Sequence, residues 1–432
     1  MRRRQLSDGG AADLLQVHAR DLVGCFLMSL RVLLATALAV LVLSGAHPAR
    51  AEPAEDLTIF VLTFGPGDHP FFKFGHNAIL VQPKNESGLV YNFGTFQFDS
   101  AALIPKFLRG RFKYWLSVSG MEATFASYVS DNRTIETQEL DLTPAQKTAL
   151  WQSLRDNARP ENREYLYDYF RDNCSTRVRD AIDRVVDGRV RQAGQRPAAM
   201  TFRADALRMT ADFFPEYLGL DLGLGRPTDA PITLWDEAFL PERMRDLLRV
   251  VRIPGESGDR PLVRAERTLF AARRPPKPDR PPNWTWYFLA AGLALGASLA
   301  GLGRLGCKQS VARVGLGVIS SLLGLVFGVL GFILLSFWLF TDHKAAYANA
   351  NILLLAPWSV LLAGYGVGAA LGRPAALRKA FWIVAAAASF AAIDVLAKLI
   401  PGLSQDNLAI GAFLLPVWLG LAAGFRYLMR CD

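Results

Sequence analysis

165-YLYDYFRDNCSTRVRD-180 ends an aromatic run and opens what reads as a helix, with Cys174 at the junction. Asp172 and Asn173 directly before it are good N-caps. In 174-CSTRVRDAIDRVVDG-188, Val178, Ile182, Val185 and Val186 recur at helical spacing, and Gly188 is placed to close the helix. A thiol at a helix start feels the positive end of the dipole and the free backbone N–H groups, which favours the thiolate. The same N–H groups can hold an oxyanion. A bare buried cysteine is the plainer alternative.

The surrounding composition says where this thiol works. The chain has 432 residues, 51% hydrophobic and 20% charged, with a formal charge of +9. The basic excess flanks apolar segments and nowhere interleaves with aromatics as a nucleic-acid footprint does, so no nucleic-acid partner is expected. The run 32-VLLATALAVLVLSG-45, followed by Ala49-Arg50-Ala51, reads as an export signal, with Met28 as an alternative start. Five apolar stretches follow, at 284–303, 314–340, 350–372, 380–400 and 408–427. Each can cross a hydrocarbon core of about 30 Å. Arg304, Lys308 and Arg313, then Arg373, Arg378 and Lys379, then Arg426 and Arg430 mark alternate ends as cytoplasmic. The region before the first span is therefore expected outside, which agrees with the signal.

The domains expected are a signal at 1–51, an exported domain at 52–250, a Pro- and Arg-rich linker at 251–283 and a membrane domain at 284–432. Of four cysteines, Cys25 falls in the signal, and Cys307 and Cys431 fall at cytoplasmic ends. Cys174 alone is exported, and an unpaired thiol in an oxidising compartment needs a reason. A basic, aromatic stretch, 107-FLRGRFKYW-115, and the linker cations Arg273, Arg274, Lys277 and Arg280 are candidates for lipid headgroups. Asp394, inside the fourth span, is a functional flag by default.

A nucleophilic cysteine needs a base and a group that orients it. His76 opens the strand-like 76-HNAILVQP-83, 84-KNESG-88 makes a turn, and 89-LVYNFGTF-96 returns. An even register puts Asn92 on the same face as His76; an odd one puts Tyr91 or Phe93 there. His69 sits in a Gly/Pro loop. Neither HExxH, CxxC nor a Cys/His cluster occurs, so no metal and no cofactor are expected.

With these residues in hand, 74-FGHN-77, 91-YNFG-94 and 172-DNCST-176 resemble the Lnb-type N-terminal periplasmic domain over roughly 55–250. The resemblance implies an α+β, permuted papain-like domain, in which His76 precedes Cys174, on an all-α domain of five transmembrane helices. It implies Cys174, His76 and Asn92 as catalytic residues. It also suggests His343 and Asn351 as substrate contacts, from the loop 341-TDHKAAYANANILLLAP-357 with Asn349 beside them, while Tyr169 and Asn173 are substrate-contact candidates by their place next to Cys174. The activity implied is thiol acyl transfer in a bacterial inner membrane, from phospholipid to a lipoprotein amine. A cysteine hydrolase of the envelope and a non-catalytic membrane protein remain as alternatives.

Overall fold

The computed structural model describes residues 56–96, 109–400 and 402–431, so the signal, Cys25 and Phe107 lie outside the described residues. The hairpin read from the sequence forms as β2 (His76–Pro83) and β3 (Leu89–Thr95), and β1 (Leu57–Phe64) pairs antiparallel to β2. β4 (Lys113–Gly120), β5 (Ile135–Leu140), β6 (Glu164–Leu166) and, past the short strands β7 (Arg252–Ile253) and β8 (Arg260–Pro261), β9 (Val263–Phe270) follow. The seven-stranded sheet has the order β6-β4-β3-β2-β1-β5-β9.

Alternation along the strands separates two apolar layers. Ile59, Val61, Ile79, Val81, Tyr91 and Phe93 face one way, against Leu150, Leu154, Val178 and Ile182. Those four come from two helices, Pro144–Ala158 and Cys174–Val185. Leu62, Phe64, Ala78, Leu80 and Val90 face the other way, against Phe125 and Tyr128 of the helix Met121–Ser130. In chain order these helices are α1 (Met121–Ser130), α2 (Pro144–Ala158) and α3 (Cys174–Val185). α2 begins with a complete capping box between Thr143 and Gln146 and has Pro144 in its first turn. α3 ends at Val185, and the N–H of Gly188 returns to the Asp183 carbonyl at 2.9 Å.

The expected linker begins too early. Residues 252–270 belong to the domain, because β9 hydrogen-bonds to β5 as the edge strand of the large sheet. The Pro-rich remainder is pinned to the domain. Lys277 Nζ lies 2.8 Å from Asp212, which Lys73 meets at 3.0 Å, and Arg274 pairs with Asp68. Arg274 and Lys277 are thus engaged by carboxylates of the domain itself.

Five helices are long and apolar enough to cross a membrane: Thr285–Gly306, Ser310–Phe340, Asn351–Ala370, Pro374–Ala397 and Leu408–Met429. The first and fifth approach closely through glycines, with Gly303 against Gly424, as small residues allow between lipid-embedded helices. The third is broken at Ala356, where φ is +49°, ahead of Pro357. Ser359 Oγ reaches back over the break to the Leu355 carbonyl at 3.4 Å and also meets the Gly324 carbonyl of the second span at 3.1 Å, contacts that an apolar surrounding demands. Asp394 is paired with Lys398 at 3.1 Å one helical turn on, so this intramembrane carboxylate is compensated. Cys307 and Cys431 form a disulfide between the end of the first span and the end of the fifth.

From Leu57 onward the chain packs as one unit. The N-terminal domain rests on the two connections that the charge pattern made non-cytoplasmic. The helix Phe214–Gly223 leaves its last carbonyls without partners, as every helix does. Asn349 Nδ2 takes those of Leu222 and Gly223 at 2.7 and 3.1 Å. Asn351 Nδ2 takes those of Asp221 and Leu222, each at 3.0 Å. Gln405 Nε2 reaches the Leu224 carbonyl at 3.3 Å.

Candidate active site

The site lies where the His76 end of β2 and the far end of β3 meet the start of α3. Asn173 caps α3: its Oδ1 accepts from the N–H groups of Ser175 and Thr176, both at 2.9 Å. Its Nδ2 donates to the carbonyls of Tyr169 and Phe239, at 2.9 and 3.0 Å. All its polar capacity is spent inside the fold, so the structure makes it a cap and does not bring it to the cavity as a substrate contact. Asn351, buried among helix-end carbonyls and accepting from Asn407 at 2.7 Å, is likewise a structural residue.

Cys174 is buried and is the one free cysteine among the described residues. Burial pushes its thiol upward, against the N–H groups of Asn77, Ser175 and Cys174 itself and the positive charge of Arg133. The helix-start donors expected from the sequence are therefore present, but desolvation outweighs them and the resting group is a thiol. This corrects the thiolate expectation. Asn77, the residue after His76, is fully buried, and Ser175 Oγ donates to its Oδ1 at 2.6 Å. That bond fastens α3 to β2 at the residues flanking the thiol and the base.

The β2–β3 register pairs Ile79 with Tyr91 and Leu80 with Val90, the even arrangement, so His76 and Asn92 share a face. The Asn92 side chain is near enough to His76 to favour its protonated form, against the larger effect of burial. The Asn92 amide donates to Ser119 Oγ at 3.0 Å, which fixes its orientation. The His76 ring lies beside the stacked pair Phe64 and Tyr128, whose centroids are 3.6 Å apart, at 6.0 Å from the first and 6.4 Å from the second. Burial and the nearby Arg133 hold the imidazole down to about 4, so it is neutral at pH 7 and able to accept a proton.

His76, Asn92, Cys174, Tyr128, Arg133 and Tyr169 line one cavity of about 610 Å³. Gly94 is its window on α3: its φ is +86°, and a Cβ there would lie 3.3 Å from that of Cys174. Phe71 and Tyr169 are half exposed at the rim. Tyr169 stacks on His343 of the membrane domain at 6.2 Å, so His343 reaches the site through that ring. His69 instead caps the turn Pro70–Phe72. Asn77, Gly94 and Arg133 carry no role in the sequence reading. The first two sit in the quoted motifs, whereas Arg133 has no local signal. No group of three or more His, Cys, Asp or Glu suited to a metal occurs among the described residues.

These features define a membrane-anchored protein whose α+β domain presents a buried thiol beside a neutral histidine. The Lnb N-terminal periplasmic domain matches residues 46–208 and the Lnb transmembrane domain matches residues 305–430. The two matches together take in more than half of the chain, in the family's order, and the chain belongs to the Lnb family, with its N-terminal domain in the periplasm. No curated protein and no solved structure matches it.

Proposed function

We propose that the protein is a thiol acyltransferase of the bacterial inner membrane, with its C-terminus cytoplasmic. One observation carries the proposal: a free thiol surrounded by three backbone N–H donors shares a cavity with a neutral His76 beside Asn92. His76 takes the Cys174 proton as sulfur attacks an ester carbonyl, and the N–H groups of Asn77 and Ser175 are suited to the oxyanion. Collapse forms the thioester and expels the alkoxide, which His76 protonates. An amine then attacks the thioester and passes its proton to His76, which returns it to the departing sulfur and so restores the thiol. Phospholipid as donor and the α-amine of a lipoprotein as acceptor suit a site whose rim touches a membrane-domain loop through His343.

Intact mass of the protein purified from membranes, with and without hydroxylamine, tests this. A fatty-acyl adduct that hydroxylamine removes, absent from Cys174→Ala, is expected. Lack of an adduct together with ester cleavage by the purified protein would replace transfer with hydrolysis. Full function in Cys174→Ala would end both.

A further inference from the structure

Arg133 is 3% exposed, yet among the described residues no carboxylate pairs with it. Its Nε donates to the Gly65 carbonyl at 2.9 Å. Its guanidinium lies over the rings of Phe72 and Tyr128, at 4.9 and 4.5 Å, which fixes the plane of the fork. Its Nη2 is buried and has no hydrogen-bond partner. A buried cation without a direct partner is costly; the Asp131 carboxylate favours the charge only from a distance, and the described lining of the cavity contains no Asp or Glu. The site is thus built around one positive charge with a donor unspent. A guanidinium fork matches the oxygens of a phosphate. The lining of Phe71, Phe74, Phe96 and Tyr169 and the contact with the membrane-domain loop favour a lipid carrier for that phosphate.

We infer that Arg133 is a specificity-determining residue that binds the phosphate diester of a lipid and so seats the lipid beside Cys174. Taking that lipid as the acyl donor rests on the acyl-transfer reading. Binding itself does not, and it can be measured without chemistry. Iodoacetamide alkylation of Cys174 is followed by mass in the full-length protein in neutral detergent, with a diether phosphatidylglycerol, a neutral dialkylglycerol or inorganic phosphate added. A diether has no ester to transfer. The diether phospholipid is expected to protect at a concentration about tenfold or more below that of the dialkylglycerol, the worth of one charge-assisted hydrogen bond. Arg133→Gln is expected to remove that preference while leaving protection by the dialkylglycerol, and Arg133→Lys to keep part of it.

Equal protection by both lipids in the wild type, or a preference surviving in Arg133→Gln, overturns the inference. So does loss of protection by both lipids in Arg133→Gln, which would make the residue a support of the cavity wall. Inorganic phosphate protecting as well as the lipid overturns the assignment to a lipid. Discrimination without a thioester would remove acyl transfer and leave Arg133 its role; a thioester without discrimination would do the reverse.

Discussion

At the scale of single residues, Cys174 and His76 are both held neutral, and both by burial. On the proposed reading the two are an acid–base pair whose proton moves only when a substrate arrives, unlike a preformed ion pair. His76 stays neutral down to about 4, so the acidic limb of turnover against pH should fall near that value and not near 6.5. Folding is linked to the same group. Between about 6.5 and about 4 the unfolded chain binds a proton at His76 that the folded chain refuses. The stability His76 contributes is therefore complete above 6.5 and lost as pH falls through that window. Thermal melts in detergent at pH 7 and pH 5 should show the loss, and His76→Gln should shrink it. At Gly94 a side chain meets two obstacles, a φ of +86° and the Cys174 Cβ at 3.3 Å. Gly94→Ala should lower stability by about 1–2 kcal/mol and turnover on the order of 100-fold through displacement of the thiol. Turnover near wild type would show that the window does not govern the thiol.

At the scale of elements, α3 is the part whose alignment matters most, and Asn173 is its anchor. Asn173→Ala removes the cap, worth about 1–2 kcal/mol, and also orphans the carbonyls of Tyr169 and Phe239. A melting temperature lower by several degrees is expected, with Cys174 alkylating faster as its burial loosens; an unchanged melt would contradict the capping role. The elements most legible in the sequence were those with a local signal. The hairpin, α2, the start of α3 and all five spans follow from alternation, capping residues or apolar length. The interval 252–270 was not legible, because β9, with the sequence VRAERTLF, is an edge strand. Edge strands carry charge against aggregation, and a charged, half-exposed strand reads like a linker. His76 with Asn92 was legible up to one parity, which the turn residues 84–88 left open and the sheet register resolves. The direction of the thiol's shift was not, because burial is a property of what α1, the sheet and α3 enclose together.

At the scale of the whole molecule, the N-terminal domain is fastened to the membrane domain by buried amides. Asn351→Leu leaves the buried Asn407 amide without its acceptor and takes one of two donors from the Asp221 carbonyl, which keeps Arg203 at 3.0 Å, and should cost roughly 1–3 kcal/mol. Faster proteolysis within 271–283 and a lowered melting temperature should report it, and a variant as resistant as wild type would mean that the amides do not hold the domains together. The disulfide between Cys307 and Cys431 gives a test of orientation. At a cytoplasmic face both are expected as thiols, because that compartment keeps them reduced. If these ends are cytoplasmic as proposed, alkylation in intact cells before lysis modifies both, whereas a fully oxidised pair, as bonded in the structure, would place them outside. The caps that Asn349, Asn351 and Gln405 supply have one more effect. They make the altitude of Cys174 above the bilayer a constant of the fold, so the cavity works as a gauge. Under the proposed acyl transfer, a chain end tethered within a few residues of the lipid would come to the right height, and one presented farther out would pass overhead, whatever its sequence.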